Sequence, residues 1–300
     1  MTALTAPQAD LDTLRTPAAA AAHRVAAERP AAAADATPAL SVRDLVLEYP
    51  DGERGVLRAL DEVSLDLLPG TFTAMVGPSG SGKSSLLAVA AGLVTPTSGS
   101  VSVAGREMAG LSRKERTALR GQEIGMIFQQ PNLIPSLTAA EQLELTVHLD
   151  RDATRADRKA ARARALELLE RVDLADQARK RPHQLSGGQR QRAYVAMVLA
   201  QNTEYVLLDE PLNNLDMQHS VQMMQQLRRA ADELGRTVVI VLHDINFAAH
   251  YADRIVAMGD GQVVETGTPA EILRPEVLER IFKTPCSVVD GPHGPLAVYY

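Results

Sequence analysis

The 300-residue sequence has one cysteine, Cys286, no tryptophan and no long apolar run. A single thiol excludes an internal disulfide and any metal site built from several thiolates. A membrane-spanning helix needs about 18 nearly unbroken apolar residues, and no stretch reaches that length. A signal peptide is not expected, because the Ala-rich N-terminus lacks a basic start followed by an apolar block. If a membrane is involved, we expect this chain to meet it through a partner.

The charge balance narrows the choice of partners. The formal net charge is -6 and the isoelectric point is about 5.7, so nothing favours binding to a nucleic-acid polyanion. Apolar residues make up 45% of the chain, which is typical of an ordinary globular protein. The length suffices for one large domain or two modest ones.

Composition and periodicity divide the chain into three parts. Residues 1–39 form a low-complexity Ala/Pro segment, predicted to be a disordered leader because it buries too little apolar surface. Residues 40–270 alternate strand-like and helical patterns, which predicts an α/β core of parallel strands joined by right-handed crossovers. An all-helical subdomain is expected at about 131–182. Residues 271–300 are predicted to form a helix and then a tail, either a small hairpin or an extended segment.

A glycine-rich loop, Gly77-Pro78-Ser79-Gly80-Ser81-Gly82-Lys83-Ser84, stands between a predicted strand, Thr71–Val76, and a predicted helix, Lys83–Gly92. It matches the G-x-x-x-x-G-K-[ST] pattern of phosphate-binding loops. Glycines let successive N–H groups point at phosphate oxygens, and the helix adds its positive N-terminal end. We expect Lys83 to reach the β- and γ-phosphates of a nucleotide and the Ser84 hydroxyl to ligate Mg²⁺. A glycine-rich turn that binds nothing is the alternative, and the strand–loop–helix context disfavours it.

Two further predicted strands run into polar residues. Tyr205–Leu208 leads to Asp209 and Glu210, and Thr237–Leu242 leads to His243. Ligands of open α/β sheets bind beyond the carboxyl ends of the strands. We expect Asp209 to hold Mg²⁺ directly or from the second coordination sphere, Glu210 to polarise the attacking water, and His243 to sense the γ-phosphate. The alternatives are a solvated loop after the first strand and a capping histidine after the second.

The segment Leu185-Ser186-Gly187-Gly188-Gln189-Arg190-Gln191-Arg192 lies between the phosphate loop and the strand that leads to Asp209. It resembles the signature sequence of the ABC ATPase family, and the resemblance covers about residues 40–270. It implies an α/β P-loop NTPase core of the ABC ATPase type, with an antiparallel β subdomain and an inserted α-helical subdomain. It also implies an enzyme that hydrolyses ATP to drive a membrane transporter.

The resemblance implies roles for further residues. Tyr49 falls where the family stacks an aromatic ring on adenine, and Gln129 matches the glutamine that senses Mg²⁺ and the attacking water. Leu215-Asp216 matches the end of the loop that contacts the second subunit. The implied metal-binding residues are Ser84, Gln129 and Asp209, and the implied catalytic residues are Glu210, His243 and Gln129. The implied nucleotide contacts are Tyr49, Gly77, Pro78, Ser79, Gly80, Ser81, Gly82, Lys83, Ser84, Ser85, Ser186, Gly187, Gly188 and Gln189.

The signature segment also implies an assembly. Ser186–Gly188 offers backbone N–H groups and a hydroxyl at a helix N-terminus, which makes a second anion cradle. The resemblance implies that two chains pair head to tail, each closing this segment on the other's ATP. One set of motifs is present without a repeat, so the second ATPase subunit must be another chain, and a homodimer is expected. Transmembrane permease subunits are the other implied partners, at the cytoplasmic face of the cell membrane.

Different parts of the chain resemble different subfamilies. The segments 211–216 and Val241–Ala248 look like those of ferric-siderophore uptake ATPases, whereas Arg120–Leu143 looks like ATPases of lipoprotein release and macrolide efflux. We expect iron-siderophore import, because the long tail Thr284–Tyr300 would be unusual on an exporter. Export of a lipoprotein, macrolide or peptide is the alternative.

Two alternatives belong to other functional classes. A soluble ABC ATPase of DNA repair or translation usually carries tandem cassettes, long coiled-coil insertions or basic segments, and the sequence shows none of these. A structural module that does not hydrolyse ATP is disfavoured by the intact set Lys83, Asp209, Glu210 and His243.

Overall fold

The structure is a computed structural model that describes residues 37–52, 55–127, 133–149, 153–213, 215–292 and 294–299. The predicted leader, apart from its last three residues, lies outside the described part of the chain. Gln129 also lies outside it. Among the described residues, no helix is both long enough and apolar enough to cross a membrane.

Strands and helices alternate along the described chain, as the sequence predicts. The strands are β1 (Leu40–Pro50), β2 (Val56–Leu67), β3 (Phe72–Val76), β4 (Ser98–Val103), β5 (Arg106–Glu107), β6 (Ile124–Ile127), β7 (Tyr205–Asp209), β8 (Thr237–Val241), β9 (Arg254–Gly259), β10 (Gln262–Gly267), β11 (Cys286–Gly291) and β12 (Gly294–Tyr299). The helices are α1 (Lys83–Ala90), α2 (Arg113–Glu123), α3 (Ala139–Leu149), α4 (Arg155–Arg171), α5 (Gly187–Ala200), α6 (Met217–Leu234), α7 (Ile245–Tyr251), α8 (Pro269–Ile272) and α9 (Pro275–Phe282).

A six-stranded sheet in the order β10-β9-β3-β8-β7-β6 forms the core. Its strands run parallel, except for β10, which pairs antiparallel with β9 at one edge. Every residue of β3, β7 and β8 is buried. Such continuous burial explains their unbroken apolar runs, because both faces of a parallel sheet are covered. One face packs against α5, α6 and α7, and the other packs against α1 and a second sheet.

The second sheet and a group of helices form the two smaller parts of the fold. The second sheet has the order β2-β1-β4-β5, and all of its pairs are antiparallel. Helices α3 and α4 pack with the first half of α5 around a separate apolar cluster that includes Leu143, Leu169 and Ala193. The predicted α/β core with an antiparallel β subdomain and a helical insert is therefore confirmed.

Two predicted boundaries near the phosphate loop are wrong by one or two residues. Helix α1 ends at Ala90, because Gly92 adopts a left-handed φ of 63° that a helix cannot continue through. The sequence also predicts a strand over Glu123–Phe128, whereas β6 begins at Ile124 because Glu123 ends α2, a helix that was not predicted. Its signal is a reciprocal cap: the Glu115 N–H donates to Ser112 Oγ, and the Ser112 N–H donates to the Glu115 carboxylate.

The C-terminal tail is the small hairpin rather than the extended segment. Strands β11 and β12 pair antiparallel from Cys286–Tyr299 to Gly291–Gly294. Ala297 is buried in the main core cluster, and Cys286 and Val288 pack against that cluster. The hairpin therefore docks on the core through one of its faces.

Candidate functional site

Three neighbouring strands of the core sheet deliver the predicted site residues to one edge. Strand β3 leads into the glycine-rich loop, β7 ends at Asp209, and β8 leads to His243. The order β3-β8-β7 and the pairing of Asp209 with Val241 place the ends of these strands side by side. Strands β7 and β8, which lead to Glu210 and His243, are therefore neighbours. This is the carboxyl edge of a parallel sheet, where such folds bind ligands.

The glycine-rich loop needs its glycines for backbone conformation and for space. Gly77, Gly80 and Gly82 have positive φ angles of 141°, 79° and 95°. A Cβ on Gly77 would lie 2.0 Å from the Met258 carbonyl oxygen, and one on Gly82 would lie 2.6 Å from that of Ala59. No side chain fits at these distances. The loop is therefore held in one shape against the ends of β9 and β2.

Lys83 lies inside the curve of this loop. Its ammonium donates to the carbonyl oxygens of Gly77 at 2.9 Å and Pro78 at 2.7 Å, and to Ser81 Oγ at 3.1 Å. Burial lowers the pKa of Lys83, against the attraction of Glu210 and Asp209, which acts to raise it. A buried cation surrounded by loop backbone provides a positive charge where an anionic group would enter.

Asp209 and Ser84 meet beneath the loop. The Ser84 hydroxyl donates to Asp209 Oδ1 at 2.8 Å. Burial raises the pKa of Asp209, and the hydrogen bond from Ser84 and the charge of Lys83 partly oppose this rise. A serine hydroxyl beside a buried carboxylate supplies the hard oxygen donors that Mg²⁺ prefers, so this pair fits the predicted ion.

Glu210 is held by two hydrogen-bonding neighbours. Its Oε1 lies 2.8 Å from His243 Nε2, and its Oε2 accepts from Asn213 Nδ2 at 2.7 Å. Burial acts to raise the pKa of Glu210, but the bonds from His243 and Asn213 outweigh it and leave the pKa below its usual value. Its φ of 49° lies in the left-handed region, which a non-glycine residue adopts at a cost of about 1–3 kcal/mol. Asn213 was not predicted as a site residue, although it lies in the segment 211–216 that resembles the one in ferric-siderophore uptake ATPases.

Most of these residues line one open groove, but Gly77, Pro78 and Asp209 are not part of its wall. The groove runs from Tyr49 past the glycine-rich loop to Glu210, Asn213 and His243. Tyr49 pairs with Leu57 across β1 and β2, and both side chains are well exposed at the groove. Leu57, Arg58 and Ala59 complete this wall. The sequence analysis did not predict them, because only the pairing of β2 with β1 brings them beside Tyr49.

The signature segment is not part of this groove. Of the described residues, none between Leu185 and Arg192 lines it. Ser186 instead caps α5, accepting from the Gln189 N–H at 3.2 Å, while the Ser186 N–H donates to Gln189 Oε1 at 2.9 Å. A Cβ on Gly187 would meet nothing within 4 Å. The two predicted anion cradles are therefore separate within one chain.

The fold and this edge define an ATPase of the ABC class, and comparison with known proteins agrees. The family model described as "ABC transporter" matches residues 60–213. The chain belongs to this family, and it is the ATP-binding, ATP-hydrolysing subunit of a transporter.

Relatives from import and from export systems are similar to the chain. The petrobactin import ATP-binding protein FatE of Bacillus anthracis is 43% identical over 76% of this chain and 89% of its own length. The petrobactin import ATP-binding protein YclP of Bacillus subtilis is 38% identical over 80% of this chain and 93% of its own length. A macrolide export ATP-binding/permease protein, MacB 1/2 of Paracoccus denitrificans, is 43% identical over 78% of this chain but only 34% of its own length.

A solved structure with the same fold is similar over most of the chain. The ATP-binding cassette MJ0796, solved as a dimer in a post-hydrolysis state bound to ADP and Pi, superimposes with a TM-score of 0.72. It is 38% identical to this chain and covers 77% of it, while the chain covers 98% of the cassette.

Proposed function

We propose that this chain powers the import of an iron siderophore by hydrolysing Mg-ATP at the carboxyl edge of its core sheet. The observation that carries the catalytic part is the arrangement of Glu210 between His243 and Asn213, beside Lys83 and the Ser84–Asp209 pair. A base, a histidine and a phosphate loop on neighbouring strand ends are what a water attack on a bound phosphate requires.

The groove suits ATP along its whole length. Tyr49 would stack on the adenine. The groove residues Ser79, Gly80, Ser81, Gly82, Lys83, Ser84 and Ser85 would surround the phosphates, together with Gly77 and Pro78 of the same loop. Ser84 and Asp209 would hold Mg²⁺, and we assign Gln129 to the same ion from the family resemblance alone. When bound, Mg²⁺ neutralises phosphate charge.

Glu210 is the proposed general base. Its lowered pKa keeps the carboxylate charged to a lower pH than an ordinary glutamate, so hydrolysis should fall only as pH drops through that lowered value. Glu210 takes a proton from water as the water oxygen bonds to the γ-phosphorus and the bond to ADP breaks. His243 orients the carboxylate by its contact with Oε1, while Asn213 binds Oε2, and His243 would also contact the γ-phosphate.

The second cradle supports a head-to-tail dimer. Ser186, Gly187, Gly188 and Gln189 lie at the exposed start of α5, outside the groove of their own chain. Space beyond Gly187 is open, so its lack of a side chain serves no contact within the subunit. We propose that these residues close on the ATP of a second copy. Permease subunits would hold the pair at the cytoplasmic face of the membrane.

Import is favoured over export by the segments 211–216 and Val241–Ala248, which resemble those of ferric-siderophore uptake ATPases, and by the similarity to two petrobactin import proteins. Export remains the second candidate, because the identity to MacB 1/2 is equally high.

Transport by a deletion strain tests the proposal. A strain lacking this chain should regain uptake of radiolabelled ferric petrobactin when it carries the wild-type gene but not Glu210→Gln. Uptake that is unchanged by the deletion, together with lost macrolide resistance, would transfer the assignment to export. Permeases that co-purify with the tagged chain provide an independent check.

A further inference from the structure

The C-terminal hairpin is joined to α7 by a single amide side chain. Asn246 Nδ2 donates to the Ala297 carbonyl oxygen at 3.1 Å, and the Ala297 N–H donates to Asn246 Oδ1 at 2.8 Å. Both backbone polar groups of one β12 residue are thus satisfied by one side chain. Asn246 therefore takes the place that a further strand would occupy beside β12.

The face of the hairpin that meets Asn246 is buried at Ala297. Ala297 is only 5% exposed, whereas Val289 and Leu296 on the opposite face of the hairpin are 46% and 40% exposed. A two-stranded hairpin has little stability of its own in water. Its position is therefore set by the docked face, where the Asn246 amide provides the directional contacts.

His243 lies directly before the cap of the same helix. Helix α7 has 7 residues, too few to be stable without tertiary contacts. Its cap, Asp244, accepts the N–H of Asn246 at 2.7 Å and that of Phe247 at 3.4 Å, so His243 and Asn246 flank one hydrogen-bonded turn.

The His243 side chain has few restraints of its own. It is 47% exposed, and its Nε2 lies 2.8 Å from Glu210 Oε1. The direction of the ring therefore depends on the short segment that joins β8 to α7. That segment continues into α7, which packs on β3, α6 and α8 and is held by the hairpin through Asn246.

We propose that the C-terminal hairpin is a brace for the catalytic edge, and that Asn246 is the positioning residue through which it holds His243 in line with Glu210. This inference rests on the role proposed above for His243. None of the described hairpin residues lines the ATP groove, so we expect the brace to affect turnover more than ATP binding.

Asn246→Leu in the full-length chain is the primary test. Leucine has a similar size but breaks both hydrogen bonds to Ala297, so we expect faster hydrogen exchange at the Ala297 amide. We expect kcat for ATP to fall about ten- to a hundredfold, as for a slightly misplaced catalytic group, while KM stays within about twofold. Val289→Thr, on the exposed face of the same hairpin, is the matched control and should leave kcat unchanged.

A double-mutant cycle with His243→Ala shows whether Asn246 acts by positioning His243 or by a general loss of order at this edge of the protein. If Asn246 acts through His243, adding Asn246→Leu to His243→Ala should cause no further loss of kcat. An equal fractional loss in both backgrounds, or an unchanged wild-type kcat despite faster exchange at Ala297, would overturn the brace. If His243→Ala alone leaves kcat unchanged, the proposed role of His243 fails, and the brace fails with it.

Asn246→Asp keeps the oxygen that accepts the Ala297 N–H and should show a smaller loss of kcat than Asn246→Leu. This second variant keeps the test decisive if the leucine variant does not fold.

Discussion

The phosphate loop and the signature segment both place serine, glycine and backbone N–H groups at a helix N-terminus. Their conformations and their surroundings within the fold differ. The phosphate loop has positive φ at three glycines, and two of these have no room for a Cβ. Lys83 fills its inner side. In the signature segment, Ser186 and Gly187 are exposed, whereas Leu185, Gln191 and Arg192 are buried. Ser186 accepts the Gln189 N–H, and the space beyond Gly187 is open.

This difference shows what an anion site needs beyond a motif. N–H groups at a helix start attract an anion weakly. The phosphate loop gains a buried cation and the carboxylates of β7 because its strand lies two places from β7 in the sheet. The signature segment has the local motif without those neighbours. It is therefore half of a site, and the proposed second copy would supply the rest.

The largest expected effect comes from Glu210→Gln, which should let both cradles close on ATP without turnover. Removing a general base should lower kcat about 10²- to 10⁴-fold, while ATP affinity is retained. Gel filtration with ATP should then show a dimer. A monomer under these conditions would contradict the head-to-tail assembly. Glu233→Gln, on the exposed end of α6, is the control and should turn over normally.

Lys83→Ala should disable the phosphate loop, Gly77–Ser84. Loss of a charged hydrogen-bonding group should weaken ATP binding about 10- to 100-fold, measured by isothermal titration with the catalytically inactive Glu210→Gln chain. The exposed Lys114→Ala is the matched control. Unchanged affinity in the Lys83 variant would refute the assignment of the loop.

Ser186→Ala should disable only the anion cradle of the signature segment, Ser186–Gly188. ATP binding by the monomer should be unchanged, while ATP-driven dimerisation of the Glu210→Gln chain should weaken several-fold. The lost helix cap should also lower the free energy of unfolding by about 1 kcal/mol. Thr154→Ala removes the same kind of cap from α4 and should show the stability loss with normal dimerisation. Equal dimerisation in both variants would mean that Ser186 is a cap and nothing more.

Several features of the fold were predictable because they depend on short-range patterns. The strand runs of β7 and β8 are apolar throughout, since both faces of the core sheet are covered. Helix α2 was missed because it buries only Leu119 and so shows little apolar periodicity. Asn213 was missed because the left-handed φ of Glu210 turns the chain so that Asn213 bonds to the Glu210 carboxylate. Sequence periodicity does not predict such a turn.

Taken alone, the sequence determined the phosphate loop, the Asp209–Glu210 pair and the signature segment, because their chemistry resides in residue types at fixed short spacings. The tertiary structure decided which of them meet. Strand order placed the loop of β3, the acids of β7 and His243 of β8 at one edge, and the pairing of β2 with β1 added Leu57 beside Tyr49. It also put the signature segment outside that groove and Asn246 against Ala297. Such long-range contacts depend on how buried surfaces pack together, which local spacing does not encode.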